Sequence, residues 1–286
     1  MARAVDTSIK KTAVLAGLAG RDSLVVALSG GVDSAVLLSL AVEALGPQRV
    51  LAVTGRSPAV PDREIDDARR VADSLGVRHE VLATNELQRA GYRSNAGDRC
   101  FHCRTELFEV LRAFADGRGI PDVAYGAITD DLAEFRPGMQ AARQRGILAP
   151  LLEAGLNKRE VRELAAAAGL PVSEKPANPC LASRIPVGTE VTPERLAQID
   201  RAEAGLAGLG FRSFRVRHHG EVARIELDDE GRGRLSDPTL VETVVREVRA
   251  AGFRFVTLDL EGYRTGSLDP PRAVLHRIQP DRLGGQ

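Results

Sequence analysis

The sequence contains no tryptophan, and aromatic residues make up only 4% of it. Proteins that bind single-stranded nucleic acids commonly stack bases on aromatic side chains, so this composition argues against that class. An excess of positive charge is also missing, because 39 Lys and Arg residues balance 39 Asp and Glu residues. Since a basic surface is the usual sign of nucleic-acid binding, we expect no stable nucleic-acid partner.

Long apolar runs are absent as well. No segment reaches the ~18–20 apolar residues that a membrane-spanning helix needs, so we expect neither a membrane partner nor a signal peptide. Cysteine is scarce, and the three cysteines form an odd number. In a reduced cytoplasmic chain, which these features favour, such cysteines serve metal binding or catalysis more often than disulfide bonds.

The chain has 286 residues, 43% of them apolar, which is enough for two domains with hydrophobic cores. Helical patterns alternate with short segments that we predict to be strands: Leu24–Leu28, which is apolar and has the length and bounds of a buried strand, and then Val50–Thr54, His79–Thr84 and Val123–Ile128. This alternation predicts an α/β fold in which helices cover both faces of a doubly wound parallel sheet.

A loop without periodicity, Glu174–Gly188, interrupts this pattern and contains three prolines. Long loops inside a compact chain are usually functional, and this loop also marks a change of pattern. The order helix–strand–strand–helix–strand follows it and indicates a smaller α+β domain. We therefore predict a first domain over residues 1–186 and a second domain over residues 187–286.

The segment SGGVDS, Ser29–Ser34, lies between the first predicted strand and a helix. Its small residues let the backbone approach a phosphate, and the helix N-terminus adds a positive dipole end. We expect Asp33 to bind Mg²⁺ that bridges it to pyrophosphate, because direct contact would bring like charges together. The predicted ATP contacts in this segment are Ser29, Gly30, Gly31, Asp33 and Ser34. A tight Gly-Gly turn without a ligand is the alternative.

Three further residues lie at predicted strand ends beside this segment: Ala27, Thr54 and Gly126. In a doubly wound sheet, contacts to adenine or ribose fall at this edge, so we predict that these residues bind the nucleotide. Ordinary packing at strand ends explains them equally well.

Two arginines, Arg215 and Arg217, alternate along a predicted strand and therefore point to the same face. Two guanidinium groups on one face can bind a phosphate from two sides. A solvated, charged strand face is the alternative interpretation.

The SGGVDS segment resembles the PP-loop of adenylating pyrophosphatases, whose domain is adenine nucleotide α-hydrolase-like and splits ATP between its α and β phosphates. Together with later motifs, it makes the chain resemble the LarE-type ATP-dependent sulfur transferases from Ser29 to Gly266. That family thiolates a pyridinium dicarboxylate mononucleotide during synthesis of the nickel-pincer cofactor. The later motifs are FRPG (135–138), CLASRIPVG (180–188), FRVRHHGEVARIEL (214–227) and GFRFVTLDLEGYRTG (252–266).

This resemblance implies ATP and Mg²⁺ as cofactors and a pyridinium mononucleotide as the small-molecule substrate. Its implied substrate-binding residues are Arg215, Arg217 and Arg104, and Ser183 and Arg184 are implied catalytic residues beside Asp33. Acidic metal-binding side chains of the family correspond to Glu203 and Glu226, for which a surface position or pairing with arginine is the alternative. The resemblance further implies a homo-oligomer formed through the second domain, a carboxylase that supplies the substrate and a nickel insertase that uses the product.

The cysteines bear on the source of sulfur. Some family members sacrifice one cysteine, which becomes dehydroalanine, whereas others have three cysteines and are thought to carry an iron–sulfur cluster. Cys100 and Cys103 are three residues apart and share a face if they are helical, and Cys180 lies in the long loop. Three thiolates can hold a 4Fe-4S cluster and leave one iron open for a transferable sulfide, which is our first hypothesis. Zinc, Cys180 as a sacrificial or persulfide donor, and inert buried cysteines are the alternatives.

Other enzymes also combine a PP-loop with cysteines. Some tRNA thiolases have a CxxC pair and a third cysteine, but they commonly have lysine in place of Val32 and need a basic surface. An ammonia-using NAD or amide synthetase would need no set of three cysteines. A non-catalytic nucleotide sensor would leave the arginine pair and the cysteines without a role. The sequence thus favours the sulfur transferase, with a tRNA thiolase as the alternative.

Overall fold

The computed structural model describes residues 7–133, 137–176 and 178–264. In chain order, its elements are α1 (Thr7–Leu18), β1 (Leu24–Ala27), α2 (Val32–Leu45), β2 (Val50–Arg56), α3 (Asp62–Ser74), β3 (Arg78–Ala83), α4 (Ala90–Ser94), α5 (Arg99–Asp116), β4 (Asp122–Tyr125), α6 (Asp130–Ala133), α7 (Pro137–Gln144), α8 (Pro150–Glu153), α9 (Lys158–Ala167), α10 (Pro193–Gly208), β5 (Phe214–His219), β6 (Val222–Leu227), α11 (Asp229–Arg234), α12 (Pro238–Ala250) and β7 (Phe255–Leu258). Across these ranges, none of the helices combines the length and apolar character needed to cross a membrane.

The described residues form two compact units. Within the described ranges, the first unit contains residues 7–86 and 100–178, and the second contains residues 87–99 and 179–264. The division into domains at 186/187 stays a prediction, and these units have other bounds because the chain enters the second unit first at Leu87.

A parallel sheet with the strand order β3-β2-β1-β4 forms the centre of the first unit. Val26 of β1 pairs with Ala52 of β2 on one side and with Ala124 of β4 on the other. The chain therefore moves outward from β1 through β2 and β3 and then returns to the opposite side of β1 for β4. Ligands bind at such a switch point, outside the carboxyl ends of the strands.

Helices cover both faces of this sheet, which confirms the predicted α/β class. Leu24 and Val26 lie in one hydrophobic core with buried residues of α1, α2 and α9, whereas Val25 lies in a second core with residues of α5. Helix α2 is apolar around most of its circumference because it is buried on nearly all sides. This packing fixes the first turn of α2 at the carboxyl end of β1.

The second unit contains a three-stranded sheet with the order β5-β6-β7. Strands β5 and β6 are antiparallel, and β6 and β7 are parallel. Helix α10 packs against β5 and α12. At its N-terminus, the Thr192 hydroxyl accepts the Arg195 N–H and Pro193 is the first helical residue, as is common where helices begin. The smaller α+β arrangement agrees with the pattern of the sequence.

A short segment of the earlier chain, Leu87–Arg99, belongs to the second unit because Asn95 binds its long loop. The buried Asn95 amide donates to the carbonyl oxygens of Pro186 and Thr189, at 2.8 and 3.1 Å. In return, the Gly188 N–H donates to the Asn95 carbonyl oxygen at 2.9 Å. Asn95 adopts a left-handed conformation (φ 51°), which asparagine tolerates better than most residues.

Candidate active site

The PP-loop, Ser29–Ser34, connects β1 to α2 and is organised by its two serines. The Ser34 hydroxyl donates to the Gly31 carbonyl oxygen at 3.0 Å and accepts the Ser29 N–H at 3.1 Å. Because Ser34 has one hydroxyl proton, Ser29 is the donor in the 3.1 Å contact between the two hydroxyl groups. Gly31 is the N-cap of α2 and has no side chain to cap it, so the first N–H groups of α2 suit an anion.

Two glycines of the predicted nucleotide site are required by close backbone packing. Gly30 has a φ of 75°, and a Cβ atom there would lie 2.3 Å from the carbonyl oxygen of Glu64 in α3. Gly126 follows β4, where a Cβ atom would lie 2.8 Å from both the Asp33 carbonyl carbon and the Ser34 nitrogen. Gly126 therefore lets the start of α2 approach the end of β4.

Asp33 forms an ion pair with a lysine that is distant in the sequence. Lys158, the first residue of α9, places its Nζ 2.8 Å from each Asp33 carboxylate oxygen. Burial raises the pKa of Asp33, and the hydrogen bond from Lys158 opposes this rise. The carboxylate is 29% exposed and supplies the oxygen donors that Mg²⁺ prefers. Nothing local in the sequence links Lys158 to a residue 125 positions earlier.

Ala27 is the last residue of β1, as expected, whereas Thr54 lies two residues before the end of β2, which continues to Arg56. The buried Thr54 hydroxyl donates to the Leu28 carbonyl oxygen at 2.7 Å and therefore supports the start of the PP-loop. Since this uses its proton, the His79 Nε2 atom at 2.8 Å is the donor to Thr54, which defines the neutral tautomer. Contacts of Ala27 and Thr54 with adenine or ribose stay a prediction.

In the second unit, the fully buried Arg184 organises the loop that contains Cys180. Its Nε and Nη2 atoms donate to the two carboxylate oxygens of Glu203, at 2.9 and 3.0 Å. Its Nη1 atom donates to the Cys180 carbonyl oxygen at 3.1 Å and to the Ser183 hydroxyl at 3.0 Å. Arg184 thus fixes both the backbone of Cys180 and the Ser183 side chain to α10, which carries Glu203.

Arg217 and Arg215 lie side by side on β5 and are both buried. Arg217 donates to the Ser183 carbonyl oxygen at 2.9 Å and to Glu226 at 2.8 Å. Its Nε atom is buried and has no hydrogen-bond partner among the described residues. An unpaired buried donor of this kind lowers the stability of the fold, and it suits an additional acceptor, such as a phosphate oxygen.

Burial of the Arg215 guanidinium affects its ionisation. Burial, followed by the positive charge of Arg184, lowers the pKa of Arg215 to about 10. Its guanidinium lies 5.0 Å from the centre of the Tyr263 ring and donates to the Tyr263 hydroxyl at 3.1 Å. The charge of Arg215 would therefore be stabilised by an anion.

Glu203 and Glu226, the predicted divalent-metal residues, are both fully buried. Glu203 accepts from Arg184 and from the Val216 N–H, and Glu226 accepts from Arg217 and Arg224. Within the described ranges, no group of three or more His, Cys, Asp or Glu residues could hold a metal ion. A divalent metal at these two residues stays a prediction.

The cysteines belong to different units. Cys100 is exposed and Cys103 is half-buried, and they lie one turn apart on α5 in the first unit, as the sequence predicted. Cys180 is half-buried in the second unit and precedes the short 3-10 helix Leu181–Arg184. The described residues offer no assembled site for a 4Fe-4S cluster, which therefore stays a prediction.

Arg104 lies on the same helix as the CxxC pair. Its guanidinium is 5.6 Å from the centre of the Tyr125 ring, and its buried Nη1 atom has no hydrogen-bond partner in the part of the chain that the structure describes. A substrate contact of Arg104 stays a prediction. Of the FRPG motif, Phe135 and Arg136 lie outside the described residues, as do Thr265 and Gly266 of the last motif.

Some known proteins resemble only part of this chain, whereas others resemble most of it. The profile of the NAD synthase family matches residues 7–106. An NH(3)-dependent NAD(+) synthetase from Archaeoglobus fulgidus is 38% identical over 80 residues, which is 28% of this chain and 32% of that protein. The profile match covers the first strands and the PP-loop and supports an ATP-using fold.

Two relatives align with both units. The uncharacterized protein slr1717 of Synechocystis is 41% identical over 248 residues, 87% of this chain and 92% of the relative. A pyridinium-3,5-bisthiocarboxylic acid mononucleotide synthase from Lactiplantibacillus plantarum is 35% identical over 261 residues, 91% of this chain and 94% of the relative. This protein therefore belongs to the LarE-type family of PP-loop enzymes, the ATP-dependent, adenylating sulfur transferases.

Proposed function

We propose that this enzyme adenylates a carboxylate of pyridinium-3,5-biscarboxylic acid mononucleotide and converts it to a thiocarboxylate. The observation that carries the proposal is the 35% identity to a synthase of the bisthiocarboxylic acid mononucleotide over 91% of the chain, which spans both units. The product would serve the synthesis of a nickel-pincer cofactor, between a carboxylase that makes the substrate and a nickel insertase. The enzyme would act as a homo-oligomer in the cytoplasm.

The first unit would bind ATP. Ser29, Gly30, Gly31 and Ser34 form the loop for the pyrophosphate part, and Ala27, Thr54 and Gly126 flank the nucleoside. Asp33 would hold Mg²⁺, which neutralises phosphate charge when it is bound. Lys158 adds a positive charge at the same place and balances Asp33 until the metal binds.

The second unit would bind the mononucleotide. The guanidinium groups of Arg184, Arg215 and Arg217 are all buried, and those of Arg184 and Arg217 form ion pairs with the buried carboxylates of Glu203 and Glu226. The desolvated positive charge of Arg215 favours an anion, and the Nε atom of Arg217, which has no hydrogen-bond partner among the described residues, favours an oxygen acceptor. A phosphate monoester satisfies both requirements, and Arg104 of the first unit would add a contact to the substrate.

The chemistry follows from the poor leaving group of a carboxylate. A carboxylate oxygen of the substrate attacks the α-phosphorus of ATP, the α–β bridging bond breaks, and pyrophosphate leaves. A sulfur nucleophile then attacks the acyl carbon of the adenylate, the bond to the AMP oxygen breaks, and AMP leaves. Positioning of the two reactants supplies much of the acceleration in such a transfer.

The sulfur source is the finer part of the proposal. We propose that Cys100, Cys103 and Cys180 hold a 4Fe-4S cluster, supported by their number, by the helical spacing of the first two and by the family resemblance. The alternative is that Cys180 supplies its own sulfur or carries a persulfide. Its backbone is fixed by Arg184, which suits a residue that must meet an acyl carbon.

The reaction is tested with purified enzyme, MgATP and the pyridinium dicarboxylate mononucleotide, and the products are identified by mass spectrometry. We expect pyrophosphate, AMP and a thiocarboxylate, and Asp33→Ala should abolish all three. Pyrophosphate release that responds to tRNA and not to the mononucleotide would instead identify a tRNA thiolase.

The sulfur source is tested by anaerobic purification followed by iron and sulfide analysis. We expect iron and acid-labile sulfide in the wild type and their loss in Cys103→Ala. Cys180→Ala should keep substrate-dependent pyrophosphate release and stop thiocarboxylate formation. An iron-free enzyme that is active for one turnover and loses the mass of hydrogen sulfide would assign the sulfur to Cys180 itself.

A further inference from the structure

We propose that Lys175 is a positioning residue that sets the PP-loop for pyrophosphate, an inference that rests on the proposed use of this loop. Lys175 lies in the first unit, 145 positions from Gly30. Its Nζ donates to the Gly30 carbonyl oxygen at 2.9 Å and to Glu64 of α3 at 2.7 Å, and it also pairs with Asp67. One ammonium group therefore joins the loop to the neighbouring helix.

The contact with Gly30 determines where the next peptide N–H points. The peptide bond between Gly30 and Gly31 is trans, so its carbonyl oxygen and its N–H point in opposite directions. Since Lys175 binds the Gly30 oxygen, the Gly31 N–H points away from Lys175, toward the Ser29 hydroxyl at 3.4 Å. That long contact leaves the N–H suited to a stronger acceptor on the ligand side of the loop.

The position of Lys175 is itself fixed from α9. Arg162 donates to the carbonyl oxygens of Ser173 and Lys175, at 3.3 and 3.2 Å. Arg162 follows Lys158 by one helical turn on the same helix face. Helix α9 thus supports the PP-loop at two points, through Lys158 on Asp33 and through Arg162 and Lys175 on Gly30.

Charge gives Lys175 a second effect on the loop. Glu64 and Asp67 bring two carboxylates next to Gly30, and Lys175 is their common cation. Without it, both negative charges would face a site for a polyanion. Loss of the Lys175 ammonium group should therefore weaken binding of pyrophosphate more than binding of AMP, which lacks the β and γ phosphates.

The test measures dissociation constants of Mg-pyrophosphate, MgATP and AMP by calorimetry, with no carboxylate substrate present. We expect Lys175→Met to weaken the binding of pyrophosphate and of ATP about tenfold or more, as the loss of a charge-assisted contact predicts. The affinity for AMP should change less than about twofold. Lys10→Met is the matched control, because Lys10 is equally buried, 18% exposed against 17%, and likewise joins a glycine carbonyl to a buried glutamate. Lys10→Met should lower the melting temperature and leave all three constants unchanged.

Equal pyrophosphate affinity in Lys175→Met and the wild type would overturn the inference, as would equal weakening of pyrophosphate and AMP. If Lys175→Met does not fold, Lys175→Arg replaces it, since arginine keeps the charge but cannot place one nitrogen against all three acceptors. We then expect an unchanged melting temperature and a several-fold lower affinity for pyrophosphate. An unchanged affinity would again overturn the inference. Absence of thiocarboxylate from a wild type that shows the Lys175 effect would refute the proposed function alone.

Discussion

Lys158 and Asp33 form a two-pronged ion pair, with one ammonium nitrogen 2.8 Å from both carboxylate oxygens. The pair joins the first residue of α9 to the PP-loop. Each partner alone would suit a different part of MgATP, the carboxylate the metal and the ammonium the phosphates. Their pairing keeps both groups at the site, and the Lys158 ammonium group neutralises the charge of Asp33.

Replacement of Lys158 should shift the pH dependence of the reaction. Burial raises the pKa of Asp33 and Lys158 opposes the rise, so Lys158→Met should raise that pKa further. Because ionised Asp33 is needed for Mg²⁺, the acidic limb of kcat/KM for ATP should move to higher pH, with KM raised about tenfold. Lys11→Met, which breaks an exposed ion pair with Glu43, is the control. An acidic limb that stays in place would contradict this role of Lys158.

Gly126 should tolerate no side chain. A Cβ atom there would lie 2.8 Å from backbone atoms of Asp33 and Ser34, so Gly126→Ala must push the start of α2 away from β4. Overpacking of this kind costs about 1–3 kcal/mol of unfolding free energy, and we expect weaker ATP binding with it. Gly17→Ala in α1 is the control, because no atom of the described residues outside its own helix backbone and chain neighbours lies within 4 Å of its Cβ position. ATP titration and denaturant unfolding of both variants check the prediction, which fails if the two behave alike.

Arg184 should be the most costly arginine to remove from the second unit. Arg184→Met removes the guanidinium that neutralises the fully buried carboxylate of Glu203 and leaves it the neutral Val216 N–H as a donor, so we expect a loss of about 3–5 kcal/mol in unfolding free energy. Arg254→Met breaks an exposed pair with Glu221 and should change stability little. Denaturant titrations that give similar values for the two variants would show that the Arg184 pair is not structurally important.

Arg215 should contribute to binding at a cost in stability. Its charge is desolvated, and the lowered pKa, about 10, reflects that cost. Arg215→Met should therefore weaken binding of the mononucleotide about tenfold or more, while the unfolding free energy stays the same or increases. Titration with the mononucleotide and thermal unfolding separate the two effects. A destabilised variant with normal affinity would mean that Arg215 serves the fold instead.

The fold was largely predictable because its signals are local. The strand preceding SGGVDS, the apolar helix after it and the Asn157–Glu160 capping box of α9 all lie where the sequence indicates. Strand β4 ends at Tyr125 rather than at Ile128, since Gly126 already packs against the start of α2. Such ends depend on tertiary packing, which periodicity does not encode.

The candidate site was predictable only where a motif marks it. The PP-loop and the arginine pair of β5 were found because spacing and strand alternation show their geometry. Lys158, Lys175 and Asn95 were missed because each acts on residues 91 to 145 positions away and is an ordinary polar residue in its own segment. Long-range partners of this kind become visible only in the folded chain.

The membership of Leu87–Arg99 in the second unit has a consequence for how this gene can be divided. A product that stops at Asn178 would keep Asn95 but lose the carbonyl groups of Pro186 and Thr189 that its amide binds. A product that begins at Pro179 would keep those carbonyl groups and lack the amide. In a chimera between relatives, the segment Leu87–Arg99 should therefore be exchanged together with the rest of the second unit.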